Sequence, residues 1–234
     1  MCEHSPARPF PLLTAITLTV AVMAAMVQYA VPDVVPALQR DPEGLTHGQW
    51  WRLATSLLVQ TLGWYQVLAN LVTLALIGLI GEWLLCRWQW VGLFASGTLG
   101  GQAAAYVWAE PGGGSSIAIC GLAGGVAIAL LAVPAPTPWL VAHPVVYYIV
   151  ALTGWGLSGP FAAGLGCLAA GSLLYGLRRA GVRNAERIAL AGTVVCAVVL
   201  AAARDLHGVS LLSGIAVMLS VFAAGHLTKS ATRS

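Results

Sequence analysis

Long apolar runs, separated by short polar or glycine- and proline-rich stretches, dominate the pattern of this chain of 234 residues. A helix needs about 20 residues to cross a hydrocarbon core of about 30 Å, and every run is close to that length. The pattern predicts an all-α fold, a polytopic membrane helical bundle of about eight transmembrane helices, as one integral membrane domain over residues 1–234. The count is six or seven if an interrupted run is re-entrant. The runs cover residues 10–31, 65–86, 88–109, 115–133, 139–157, 160–177, 187–203 and 206–227.

Composition supports this class, because 59% of the residues are hydrophobic and only 8% are charged, far from the balance of soluble domains. The lipid bilayer is therefore an expected partner. A net charge of +3 spread over the loops indicates topology rather than a nucleic-acid surface, so no nucleic-acid partner is predicted. The five cysteines are scattered without metal-ligand or disulfide spacing, and neither a metal nor a cofactor is expected.

The distribution of basic residues predicts the orientation, since short cytoplasmic loops retain Lys and Arg. With the N-terminus inside, eight of the eleven basic residues are cytoplasmic. We therefore predict a multi-pass protein of the cell membrane with cytoplasmic segments 1–9 and 228–234 and an external loop at 32–64. The first run is too long for a signal-peptide core and is interpreted as a retained span, with cleavage after Ala30 as the alternative. The cytoplasmic set is Arg8, Arg87, Arg178, Arg179, Arg183, Arg187, Lys229 and Arg233.

Three polar residues stand in the first turn or two of separate apolar runs: Gln66, Ser116 and His207. In the predicted topology all three runs lead from outside to inside, so these residues lie at similar depth near the outer face. A serine and a histidine at matched depth favour nucleophilic catalysis, in which the imidazole takes the hydroxyl proton while the oxygen attacks a carbonyl. The alternative for the serine is a helix cap in a closely packed membrane helix.

Two amides, Gln66 and Asn70, share one face of their helix because they are four residues apart. Amides inside a bilayer need partners, so this face is expected to point into the bundle. They are predicted either to donate to a developing oxyanion or to form interhelical hydrogen bonds. Asp205 is two residues before His207, a spacing that on a helix points the carboxylate elsewhere, so no third catalytic member is expected.

Small residues predict that the Ser116 and His207 helices are neighbours. Cys120, Ala123 and Ala127 follow the serine, and Ser210 and Gly214 follow the histidine, with helical spacing. Such stripes let two backbones approach closely in a membrane. This packing is expected to bring the serine oxygen within about 3 Å of an imidazole nitrogen.

These residues resemble the rhomboid intramembrane serine proteases. The rhomboid motif G-x-S-G-A-x-x-G-L is similar to Gly114–Leu122, which places Ser116 as the nucleophile and Gly121 as a motif glycine. The rhomboid motif H-x-x-G-x-x-x-G is similar to residues 207–214, which places His207 as the base and ends at Gly214. The W-R motif of the first external loop is similar to Trp51 and Arg52, the oxyanion-binding asparagine falls on Asn70, and an inner-end glutamate falls on Glu82.

The resemblance implies a Ser–His dyad that hydrolyses a peptide bond in or near the transmembrane helix of single-span membrane protein substrates. Several positions depart from the rhomboid pattern, and the two catalytic residues are 91 positions apart. That gap fits a six-helix rhomboid core with two additional helices. The alternative is a catalytically inactive rhomboid-like protein that binds transmembrane helices. The departures are Gln60, Gln66, Ile117, Cys120 and Ser210.

Overall fold

The computed structural model describes residues 10–133 and 138–231, with side chains described as far as residue 224. The predicted cytoplasmic segment 1–9 lies outside the described residues, as do residues 232–234 of the predicted tail. The described part is helical and contains no strand, only one isolated bridge between Arg40 and Gly112. The helices are α1 (Leu12–Ala30), α2 (Val34–Leu38), α3 (Pro42–Thr46), α4 (Arg52–Thr55), α5 (Trp64–Leu84), α6 (Arg87–Val107), α7 (Ser116–Ala132), α8 (Trp139–Ser158), α9 (Pro160–Arg179), α10 (Ala185–Ala202) and α11 (Leu206–Ala231).

Each of the eight apolar runs forms a long helix whose ends lie within a few residues of the predicted ones. Within the described residues, six of them are long and apolar enough to cross a membrane: α1, α5, α8, α9, α10 and α11. Helix α6 is long but less apolar, and α7 has only 17 residues. The chain is therefore a polytopic helical bundle with the character of a multi-pass membrane protein.

Helix α7 is the centre of the bundle. All its side chains from Ile117 to Leu130 are buried, because α5, α6, α8, α10 and α11 all pack against it. Helix α9 is outermost and packs mainly on α8, with Leu174 as its one buried residue. The shortness of α7 is consistent with this position, since its surroundings are other helices.

Glycines allow α7 to touch its two main neighbours through backbone atoms. A Cβ placed on Gly214 of α11 would lie 1.9 Å from the carbonyl oxygen of Gly121 in α7, and one on Gly97 of α6 would lie 2.5 Å from the Gly121 Cα. Neither place has room for a side chain. The prediction that the helices of Ser116 and His207 are neighbours is thereby confirmed.

Helix α1 is attached to α5 at the end of the bundle opposite to the start of α7. The carboxylate of Glu82 accepts a hydrogen bond from the backbone N–H of Thr14 in the first turn of α1, where helical N–H groups lack intrahelical partners. Gly78 lies against the same threonine, since a Cβ there would be 2.7 Å from Thr14 Oγ1. The predicted motif residue Glu82 therefore has a structural contact.

The segment between α1 and α5 folds into the short helices α2, α3 and α4. Arg52 holds it together, because its guanidinium donates to the carbonyls of Pro36 at 2.9 Å and Gln39 at 2.8 Å and to the Gln49 side chain at 2.6 Å. Trp51 precedes α4 and is exposed. Of the predicted W-R pair, the arginine thus organises the segment and the tryptophan lies at its surface.

The backbone contact at Gly214 can be tested by adding bulk. Gly214→Leu is expected to lower the melting temperature in detergent, since overpacking costs about 1–3 kcal/mol or more, and to separate α11 from α7. Gly192→Leu on α10 is the matched control, because a Cβ there would meet nothing within 4 Å. Membrane insertion is expected to be unchanged in both variants. Equal melting temperatures for the two variants would contradict the tight α7–α11 contact.

Candidate active site

Ser116 and His207 meet at the face of the bundle where α5, α7 and α11 begin, which we call the site face. The Ser116 Oγ lies 2.9 Å from the His207 Nε2. Ser116 is the first residue of α7 and His207 the second of α11. Because both helices begin at this face and touch several residues further along, their first side chains are brought together. The expected separation of about 3 Å is confirmed.

Asp205 corrects the expectation that the carboxylate near His207 points elsewhere. Its Oδ1 accepts a hydrogen bond from the His207 Nδ1 at 2.7 Å and another from the His207 backbone N–H at 2.8 Å. The expectation assumed that both residues lie within one helix. Helix α11 starts only at Leu206, so Asp205 is its N-cap, and an N-cap side chain folds back over the first turn.

The two contacts define the proton arrangement of His207. A carboxylate only accepts, so Nδ1 carries the proton and donates to Asp205, and Nε2 then accepts from the Ser116 hydroxyl. Burial acts to raise the pKa of the Asp205 carboxyl, but the hydrogen bonds and charge of His207 hold that pKa below its ordinary value. The side chains of His207 and Asp205 are 23% and 20% exposed. The lowered pKa favours the ionised carboxylate, and the side chain is partly exposed at the site face.

The glycine loop before Ser116 is held by backbone and side-chain contacts. Gly114 has a φ of +146° and its N–H donates to the Ser56 carbonyl at 2.8 Å. A Cβ on Gly114 would lie 2.4 Å from the Gln66 Nε2, so both backbone angle and space require glycine here. Gly112 exchanges two backbone hydrogen bonds with Arg40, at 2.7 and 3.0 Å. The loop thus fixes where α7 begins.

Arg40, one of the three basic residues outside the predicted cytoplasmic set, also supports the site. It is 5% exposed, and its guanidinium donates to the Glu110 carbonyl at 2.7 Å and to the Gln102 side chain at 2.9 Å. A buried cation needs such partners. The chain pattern carries no signal for this role, since the partners are more than 60 residues away.

The predicted oxyanion amides lie next to the loop and are engaged with the protein. Gln66 donates to the Gly113 carbonyl at 2.9 Å and accepts from the Leu62 N–H at 2.9 Å. Asn70 donates to the Gln60 side chain at 2.7 Å. Gln60 had been noted only as a departure from a family pattern, but it joins the asparagine to the site. We call Gln60, Gln66 and Asn70 the amide layer: Gln60 and Gln66 lie against Gly114 of the loop before Ser116, and Asn70 is bonded to Gln60.

A backbone donor adds to these amides. The N–H of Ser116 stands at position N1 of α7, and the first N–H groups of a helix have no intrahelical acceptor and carry the positive end of the helix dipole. This N–H belongs to the same residue as the hydroxyl that contacts His207. The start of α7 thus presents a hydroxyl in contact with an imidazole and, on the same residue, a backbone donor that suits negative charge.

Helix α8 contributes a second set of contacts that is not predictable from the chain pattern. The Tyr148 hydroxyl lies 3.2 Å from the Cys120 Sγ and 3.5 Å from the Ser116 carbonyl oxygen. Trp155 of the same helix stacks on Tyr65 of α5, with ring centroids 5.1 Å apart. An aromatic residue in an apolar helix is ordinary, so only the fold shows that Tyr148 reaches the first turns of α7.

Comparisons of the chain with protein-family models, with curated proteins and with solved structures find no match.

Proposed function

We propose that this protein is a rhomboid-type intramembrane serine endopeptidase, with Ser116 as nucleophile and His207 as general base. The observation that carries the proposal is the 2.9 Å contact between Ser116 Oγ and His207 Nε2, made by residues 91 positions apart at the starts of two apolar helices. A hydrogen bond with a purely structural role would not account for the rhomboid-like sequences around both residues.

The reaction follows from the proton arrangement. His207 Nε2 takes the Ser116 proton as Oγ attacks a peptide carbonyl of the substrate, and the tetrahedral oxyanion lies by the Ser116 N–H and the amide layer. The imidazolium then gives its proton to the leaving amine. Water enters from the site face, is deprotonated by His207 and hydrolyses the acyl-enzyme, which restores the serine.

The setting supports a proposal for the substrate class. The serine lies at the end of a bundle whose outer side chains are apolar, so a substrate that is itself held in the bilayer reaches it with a segment near its membrane boundary. We infer single-span membrane proteins as substrates. In the proposed orientation the site face is external, both termini are cytoplasmic in the cell membrane, and eight helices span, with α8 and α9 added to a six-helix rhomboid core.

Labelling of Ser116 by a fluorophosphonate tests the enzyme directly, because such probes react with serines activated by a base. Wild-type protein in detergent or lipid is expected to be labelled, and Ser116→Ala and His207→Ala are expected to lose the signal. Ser115→Ala is the matched control, since Ser115 is adjacent and buried and is expected to leave labelling intact. A wild-type protein that stays unlabelled in every lipid tried would favour the inactive helix-binding alternative.

The amide layer gives a second test. Asn70→Ala is expected to lower kcat on a transmembrane substrate about 10²-fold with little change in KM, since an oxyanion donor acts in the transition state. Thr73→Ala, one turn further on the same helix, is the control, because Thr73 bonds only backbone carbonyls of its own helix. A normal kcat for Asn70→Ala combined with a lower melting temperature would make the amides structural.

A further inference from the structure

We propose that Asp205 is a positioning residue that completes a hydrogen-bonded triad of Ser116, His207 and Asp205, and that helix α8 holds Asp205 in place through Gly156. The proposal rests on the proposed serine-protease function of the site and names how its base is oriented. It extends the site to α8, a helix that lies far from Asp205 in sequence.

The first observation is the double use of one carboxylate oxygen. Asp205 Oδ1 accepts from both the backbone N–H and the Nδ1 of His207. The backbone bond alone would make Asp205 a helix cap. The 2.7 Å contact to Nδ1 adds what a base needs, since it fixes the ring and leaves the Nε2 lone pair towards Ser116.

The second observation is the confinement of the other oxygen. A Cβ on Gly156 of α8 would lie 2.4 Å from Asp205 Oδ2 and 2.9 Å from the Leu200 side chain. The carboxylate therefore rests against the backbone of α8 at a point where only glycine fits. A larger residue there would displace the carboxylate from His207, because the side-chain end moves more easily than the two helices.

The third observation is the tightness of the turn that carries Asp205. Its N–H bonds the Leu200 carbonyl at 2.9 Å, which closes the end of α10 in the manner of a Schellman motif. Arg204 occupies the left-handed position with a φ of +60°, where glycine is usual and a larger residue is disfavoured. The short turn thus joins α10 to α11 and restricts the position of Asp205.

The fourth observation places the same face of α8 against the nucleophile. Tyr148 is eight residues before Gly156, about two helical turns, and its hydroxyl reaches Cys120 and the Ser116 carbonyl. The Trp155–Tyr65 stack fixes α8 beside α5 at the level of Gly156. One helix face therefore touches the serine's helix and the carboxylate together.

The other groups around the carboxylate do not replace it as the partner of His207. Arg204 is its exposed neighbour in the chain. Cys120 from α7 and Tyr148 from α8 are uncharged at neutral pH, and α6 faces α11 with Gly100 and Gly101. Once His207 gains a proton in the reaction, Asp205 is the anion in contact with it.

Asp205→Asn is the principal test, because asparagine also caps a helix well but brings no charge to the imidazolium. We expect kcat to fall about 10²- to 10⁴-fold with KM nearly unchanged and the melting temperature close to wild type. A low-field proton resonance of His207 Nδ1, observed with ¹⁵N-histidine, is expected in the wild type and not in the variant. A normal kcat with the resonance retained would reduce Asp205 to a cap and overturn the proposal.

Gly156→Ala tests the contact with α8. It is expected to lower kcat at least 10-fold and to weaken the His207 Nδ1 resonance, while Gly164→Ala on α9, where a Cβ would meet nothing within 4 Å, leaves both unchanged. Equal behaviour of the two alanine variants would overturn the role of α8.

The resonance separates this proposal from the proposed function. If the wild type neither labels with fluorophosphonate nor cleaves a substrate, the enzyme assignment fails, and the Nδ1 resonance and its loss in Asp205→Asn still report the pairing. If the wild type is active but shows no such resonance, the proposed role of Asp205 is wrong and the proposed protease function is retained.

Discussion

The glycine contact between α6, α7 and α11 is the constraint on which the site depends. Gly121 touches Gly97 on one side and Gly214 on the other through backbone atoms, and it lies five residues after Ser116. Gly214 lies seven residues after His207. Helices fixed at such points cannot slide or rotate without a clash, so the depth of the glycines determines the distance between the Ser116 and His207 side chains. In a site assembled from separate helices, the side-chain positions therefore depend on the helix packing deeper in the bundle more than on the glycine loop that precedes α7.

The polar chemistry is gathered at helix starts, for a reason that the membrane supplies. In an apolar interior each free N–H requires a partner, and helix starts offer several of them. Here those groups receive Asp205 at α11 and Glu82 at α1, while the start of α7 remains beside the serine. The same property of a helix end therefore attaches α1 to α5, holds Asp205 against His207 at the start of α11 and, in our proposal, stabilises charge at the start of α7.

Sequence periodicity located all eight long helices because length and apolarity are local properties. The contact between Ser116 and His207 was predictable as well. Both residues stand at the start of an apolar run, and the small residues that let the two helices approach lie within a few turns of each. Asp205 was misjudged by one detail, the residue at which α11 begins, and helix ends are the least certain feature of a pattern. Arg40, Gln60 and Tyr148 had no usable signal, since what makes them part of the site is a partner on a distant segment.

Helix α8 contacts both the helix of Ser116 and the carboxylate of Asp205. Helices α8 and α9 connect α7 to α10 in the chain, and α8 packs against α7, α10 and α5. Its neighbours are then the helix of the serine and the turn of the carboxylate. Helix α8 lies so close to Asp205 that only glycine fits at position 156. Tyr148 packs against Cys120, where a larger residue on α7 would collide with the tyrosine. The small Cys120 on α7 and the large Tyr148 on α8 therefore complement each other in packing. The imidazole of His207 is held by Asp205, whose other carboxylate oxygen lies against α8.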